Sequence, residues 1–448
     1  MHILNQHQPY EYPLYFTMDL SPKPVIYLPT IFTLFFLTAA ALMPSCDPTF
    51  NTGFGLGAHT LPPASNVSTA EPTGPYEVGV HFETYCFEGR GVTLNYWYPA
   101  LPEVGSSPYV SAGGIVGKAV KDASVDSSGG PYPLILFSPG LAAVDDGYYF
   151  YTQNLASNGY VVVSIQHLDA RNANVTSQKF ALALAAIDAA AGNTIDAVIE
   201  EYTDFFRETQ FALTYRPQEI EFAVDQAIQS AGNESSPFFG LVDTNNIGMS
   251  GHSLGGFYTN IIGGGMPIYC DYLMTPIQQN PDYPVLSEVS PCAFPARQNL
   301  SGPFALHDSR IKAIIPLAAP TFLTRSQLAR SAAQVKVPMM TITGDNRTSE
   351  TTSWVQRDIY ENAAGPSYWV KIKDTNHYLV ADSYGLNPVL SANMSPEDKE
   401  NFFDKAAVYM VYSTAFFDYY VKGNETTYTA LHTISSSYVK ELSSRNYK

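Results

Sequence analysis

From residue 132 onward one pattern recurs: a short unbroken apolar run that ends in turn residues, then a stretch with helical spacing. The runs are "LILFSPG", "GYVVVSIQHL", "NIGMSG", "IKAIIPLAAP", "VPMMTITGD" and "YWVKIKD". Strands without an alternating polar face belong in a sheet covered on both sides. Helical patterns separate them at 146–158, 178–213, 216–231, 254–264, 325–334, 352–364 and 396–421. This alternation predicts an α/β fold, with a mostly parallel central sheet and helices on both faces. Two earlier strands are expected at "YEVGVHFETYCF" and "VTLNYWYPA", followed by an exposed loop at "SAGGIVGKAVKDASVDSSGGPYP".

The remaining segments divide the 448-residue chain. Residues 76–425 carry the α/β pattern as one domain, and 426–448 read as a C-terminal tail. Within the domain, 263–308 lacks periodicity, holds several prolines and reads as an inserted loop or lid. Its Tyr269, Tyr272, Leu273 and Met274 either wall a pocket or pack ordinarily. Residues 46–75, rich in Pro, Gly, Thr and Ser, read as a flexible tether. Before them, Val25 to Met43 is an apolar run ending in small residues, which reads as a secretory signal over 1–45. "MPSC" ahead of the tether resembles a loose lipobox in which Cys46 would be lipidated. An uncleaved anchor is the competing reading, because the run approaches the ~20 residues that span a bilayer. All three place the chain outside the cytoplasm, secreted or held at the cell envelope.

Composition narrows the partners. The net charge is −17, and losing Glu11, Asp19 and Lys23 with the leader leaves −16. No basic cluster interrupts that surplus, so nucleic acid is excluded as a partner. Of the four cysteines, Cys270 and Cys292 share one Pro-rich segment and are an expected disulfide, closing a loop worth roughly 3 kcal/mol. Cys86 lies in an apolar strand and reads as a buried thiol. No histidine stands at ligand spacing to any of them, so no metal is expected. Oligomeric state leaves no mark on the sequence.

Chemistry concentrates at "GMSGHSLGGF". "NIGMSG" is a strand and "LGGFYTNIIGG" starts a helix, so Ser253 falls on a strand–turn–helix junction. Gly251-His252-Ser253-Leu254-Gly255 matches the nucleophile elbow Gly-x-Ser-x-Gly. A serine on so sharp a turn has a strained backbone, and the positions two residues either side crowd the neighbouring strand and helix. Glycine relieves both. A phosphate loop is the weaker reading, since no lysine follows and the Gly-x-Gly-x-x-Gly order is missing.

A serine nucleophile needs a base and an orienting acid, which in this fold follow it in the order Ser, Asp, His. "VPMMTITGD" ends in Asp345, and "WVKIKDTNHYLVADS" carries His377 beyond another strand. Both stand at strand C-terminal ends, where a parallel sheet gathers its active site. His377 would take the Ser253 proton while Asp345 holds its tautomer. Asp374 reads as a loop cap, Glu350 as a second-choice acid, and His167 and His307 as less well placed bases. His252 reads as packing against the top of the sheet. The oxyanion hole needs two backbone N–H groups: Leu254, after the nucleophile, and Leu141, beyond the Ser138-Pro139-Gly140 turn.

With these motifs assembled, the chain resembles the secreted bacterial α/β-hydrolases grouped around platelet-activating-factor acetylhydrolases, dienelactone-hydrolase-like esterases and cutinase-type polyester hydrolases. "YPLILFSPGLAA", "YTQNLASNGYVVVSIQH", "RPQEIEFAVDQAI", "NIGMSGHSLGG", "VPMMTITGD" and "KDTNHYLVAD" carry the likeness, over about residues 74–420. The 32 positions from Asp345 to His377 are similar to the cutinase-type spacing. Two departures stand out. "IKAIIPLAAPTF" has no carboxylate where animal acetylhydrolases place theirs, and compact polyester hydrolases lack the 263–308 insertion. The resemblance implies an α/β-hydrolase fold and a cofactor-free serine esterase acting on short-chain acyl esters. A lipase or polyester hydrolase, and a non-catalytic surface binding protein that keeps only the fold, are the alternatives.

Overall fold

The computed structural model describes residues 67–87, 90–111, 113–141, 143–167, 216–265, 307–321, 325–345, 350–382, 386 and 401–445. All of them fall in one compact unit, Pro44–Lys448. The predicted leader, the helical pair at 178–213 and the body of the 263–308 insertion lie outside the described residues. So do Cys46, Tyr269, Cys270, Tyr272, Leu273, Met274 and Cys292.

In chain order the strands are β1 (Val67–Ser68), β2 (Glu77–Phe87), β3 (Arg90–Ala100), β4 (Ile115–Val116), β5 (Val120–Lys121), β6 (Tyr132–Ser138) and β7 (Val161–Gln166). They continue with β8 (Val242–His252), β9 (Ile311–Leu317), β10 (Met339–Gly344), β11 (Ser367–Ile372) and β12 (Val439–Arg445). The helices are α1 (Tyr149–Ser157), α2 (216–232), α3 (Leu254–Ile262), α4 (Arg325–Ala332), α5 (Glu350–Asn362) and α6 (Phe402–Tyr420). Ten strands form one sheet in the order β12-β11-β10-β9-β8-β6-β7-β3-β2-β5. From β7 to β11 every pairing is parallel, while β2, β3 and β12 add antiparallel ends.

Every residue of β6 and of β10 is buried, as their unbroken apolar runs require. Successive side chains still go to opposite faces. Ile135 and Phe137 of β6 join one core with α1 and α6, whereas Leu134 and Leu136 join another with α2, α3, α4 and α5. The chain therefore doubles back at β6: it first goes out to β7, then returns past β6 to β8. That reversal is the topological switch point, where an open α/β sheet leaves a crevice at its strand ends. Ser138, the last residue of β6, pairs in register with Gly251 of β8 there.

Three readings of the sequence change. Residues 67–75, expected to be tether, are packed: β1 pairs with β4, and Thr69 and Ala70 are buried. The loop expected at 111–133 contains β4 and β5 and buries Ile115 and Ala119 completely. The tail expected at 426–448 supplies β12, which extends the sheet beside β11 from Ile372↔Val439 to Ser367↔Arg445. Short polar strands such as "VKELSSR" escape a pattern search because an edge strand needs a neighbour's free hydrogen-bonding groups more than it needs apolar residues. Cys86 also differs: it lies exposed on β2 and is disulfide-bonded rather than a buried thiol.

Candidate active site

β8 runs straight into the elbow. Ser253 has φ 52° and ψ −119°, a strained conformation for a residue with a side chain. Its N–H donates to Leu317 O on β9 at 2.9 Å, and its carbonyl accepts from Phe257 N–H at 2.9 Å, so both arms of the turn are anchored. The flanking glycines are sterically required. A Cβ on Gly251 would stand 2.5 Å from Gly255 O, and one on Gly255 would stand 1.8 Å from Ser138 O. The elbow therefore presses on the end of β6 as well as on itself. Leu254, 2% exposed, opens α3, and no side chain caps that helix end. The first N–H groups of a helix lack intrahelical partners and carry its positive dipole end, which suits a developing oxyanion.

The turn after β6 comes up against Ser253. A Cβ on Gly140 would lie 3.5 Å from Ser253 Cβ and 3.3 Å from His252 Nδ1. Leu141 follows, half-buried. Thus the structure brings Ser253, Leu254 and the Gly140–Leu141 turn together at the switch point.

His377 lies in the turn-rich stretch after β11, with its ring centroid 4.8 Å from that of His252. Burial pulls its imidazole down to about 4, which keeps it neutral and able to accept a proton. Its Nδ1 is buried and makes no hydrogen bond among the described residues. Asp345 follows β10. Its carboxylate accepts Asp374 N–H at 2.6 Å and Lys440 Nζ of β12 at 2.5 Å. Asp374 itself sits at φ 49°, and its carbonyl accepts Lys405 Nζ at 2.5 Å. Glu350 begins α5, and His307 is exposed. His167 ends buried beyond β7, its nitrogens bonded to Ser138 Oγ and Glu219.

His252, expected to pack on the sheet top, does so as a hydrogen-bonded bridge. Its Nε2 contacts His377 O at 2.8 Å, and a carbonyl only accepts, so Nε2 carries the proton. Burial, with the neighbouring His377 second, holds its ring neutral far below the usual imidazole range. Nδ1 therefore accepts the Tyr148 hydroxyl at 2.9 Å, and that oxygen in turn accepts Gly140 N–H at 2.9 Å. One chain of hydrogen bonds thus runs from the turn after β6, through the elbow, to the backbone of His377. Tyr148 left no signal in the sequence: it is one of 31 tyrosines. Asp382 is the second group the sequence did not reveal. Fully buried, its carboxylate accepts Tyr149 N–H at 3.0 Å, Phe150 N–H at 2.9 Å and Thr69 Oγ1–H at 2.7 Å. It thereby satisfies the N-terminus of α1, whose N-cap Tyr148 makes no side-chain cap bond, and ties the 67–75 strap to it.

Residues 109–261, about a third of the chain, match the family model of platelet-activating factor acetylhydrolase, isoform II. That span runs from the approach to β4 through the elbow and most of α3. With this strand order and a serine on the elbow of β8, the chain has the α/β-hydrolase fold. The match makes this span similar to a family of ester hydrolases. Among solved structures, a ferulic acid esterase from Streptomyces cinnamoneus matches at 16% identity and a TM-score of 0.47, over 80% of this chain and 94% of that one. No curated protein matches. Among the described residues, no His/Cys/Asp/Glu group could hold a metal ion.

Proposed function

We propose that this hydrolase is a serine esterase for short-chain acyl esters, with Ser253 as nucleophile, His377 as base and Asp345 as orienting acid. The observation that carries the reading is the strained elbow at Ser253, pressed against the Gly140–Leu141 turn by two glycines that no other residue could replace. Ser253 Oγ attacks the ester carbonyl while His377 accepts its proton. The tetrahedral oxyanion lies on the N–H groups of Leu141 and Leu254. Collapse expels the alcohol, protonated by His377, and leaves an acyl-enzyme. Water, deprotonated by the same imidazole, then releases the acid. Neutral His377 suits this role. In this mechanism the Asp345 carboxylate turns from Lys440 toward Nδ1 once imidazolium forms, because that buried nitrogen is the site of the new charge. No cofactor takes part.

The test pairs Ser253→Ala with the parent protein on p-nitrophenyl acetate, together with fluorophosphonate labelling of Ser253. Loss of turnover and of labelling in the variant is expected; equal rates would sink the enzyme reading. A p-nitrophenyl ester series separates acetate and butyrate from the long chains that a lipase or polyester hydrolase would prefer. The leader over 1–45 directs export of the chain. Intact mass of the mature protein distinguishes a lipid-bearing Cys46 from a free terminus or a retained anchor.

A further inference from the structure

The turn that supplies Leu141 is gripped from below by a fully buried guanidinium. Arg216 opens α2 and is 0% exposed. Its Nη1 donates to Pro139 O at 2.5 Å and lies 3.5 Å from Ser138 Oγ, while Nη2 donates to Gly140 O at 2.7 Å. Ser138 Oγ also meets His167 Nε2 at 2.8 Å, and His167 Nδ1–H donates to Glu219 at 2.7 Å. Arg216 and Glu219, three apart, share one face of α2. Together they enclose the ends of β6 and β7 in a buried set whose opposite charges stand at its two ends. Ser138, His167 and Glu219 repeat the residue types of a catalytic triad, yet each is 0–1% exposed, so no substrate reaches them.

What the set does follows from the planarity of the peptide. In a trans unit the C=O and the N–H point in opposite directions. The unit whose carbonyl is Gly140 O ends in the N–H of Leu141. The unit before it has Pro139 O on Arg216 and Gly140 N–H on the Tyr148 hydroxyl, so it is held at both ends. With both carbonyls fixed on one rigid fork, the Leu141 N–H is directed away from Arg216. The guanidinium also polarises that peptide, which makes its N–H a stronger donor to a developing negative charge.

We propose that Arg216 is the positioning residue of the oxyanion hole, with Glu219 and His167 holding it through Ser138 and along α2. This rests on the serine-esterase reading and deepens it. Lysine would keep the charge without the fork, and methionine would remove both. Arg216→Met is expected to lower kcat by about 10²-fold, comparable to loss of one oxyanion donor, with KM changed less than about threefold because ground-state binding does not use the hole. Arg216→Lys is expected to lie between methionine and the parent. A trifluoromethyl ketone ester analogue, which forms an oxyanion on Ser253, should lose affinity by the same factor as kcat/KM.

The measurements are kcat and KM per active site titrated by fluorophosphonate, and the ketone inhibition constant, on the full chain. A folded Arg216→Met or Arg216→Lys protein with parental kcat per titrated site overturns the proposal. So does a loss of kcat/KM with unchanged ketone affinity, which marks a structural role only. If methionine prevents folding, the lysine variant alone decides by the same two readouts. Failure of the parent protein to label at Ser253 overturns the esterase reading instead, and the two failures are thereby told apart.

Discussion

Gly255→Ala is the sharpest test of the elbow. The added methyl would stand 1.8 Å from Ser138 O, 2.5 Å from Ser138 C and 2.6 Å from Pro139 O, all backbone atoms. No rotamer change relieves a clash with backbone, so the end of β6 or the start of α3 must retreat by about 1 Å or more to restore contacts near 3.0 Å. Ser138 and Pro139 begin the turn that carries Leu141, and a misplacement of about 1 Å at a catalytic group costs roughly 10²-fold in rate. Overpacking of this kind also costs about 1–3 kcal/mol of stability. Gly232 is the control, since nothing lies within 4 Å of a Cβ there. The assay is kcat and urea unfolding for both variants. Gly255→Ala should lose about 100-fold in kcat while Gly232→Ala stays within twofold. A Gly255→Ala protein with parental kcat and parental stability would refute the contact between elbow and turn.

Other consequences are as direct. Because burial holds His377 near 4, the acid limb of kcat/KM should lie well below the ordinary imidazole range; a limb at 6.5 or above would contradict the burial. His252 is lowered as well, so the unfolded chain binds more protons than the folded one below about pH 6.5, and stability should fall with falling pH by about 1.4 kcal/mol per pH unit for each ring until its folded value is reached. Chemical denaturation at pH 7 and pH 5 measures this, and equal stabilities would count against neutral buried rings. Lys440→Met frees the Asp345 carboxylate for His377, and the acid limb should rise by about one unit; an unmoved limb means Lys440 does not compete for Asp345. Asp382→Ala strands the Tyr149 and Phe150 N–H groups at a buried helix end and should cost at least about 2 kcal/mol in urea unfolding. A change under about 0.5 kcal/mol would show that the strap and helix find other partners.

Much of the architecture was legible because it depends on local chemistry. The apolar runs at 134–137, 161–165 and 339–342 can only be central strands, and Gly251 and Gly255 announce a turn that no side chain fits. Boundaries failed where the neighbour decides the structure. "VKELSSR" becomes β12 because β11 offers it an edge. The Thr- and Pro-rich stretch near residue 70 is ordered because Asp382, more than 300 positions on, accepts its threonine hydroxyl.

The site divides in the same way. Sequence order singled out Ser253 as the candidate nucleophile and named the acids and bases that could serve it, since a strand-end serine, aspartate and histidine in that order have few other uses. Only the tertiary structure decided what holds them. It placed His252 and Tyr148 between the turn and His377, gave Asp345 to Asp374 and Lys440, and put Arg216 beneath the turn after β6. The bonds of His252 to Tyr148 and His377, and of Arg216 to Pro139 and Gly140, join residues 76 to 125 positions apart. Their partners are chosen by which strand ends meet at the switch point, a relation that exists only once the sheet has closed.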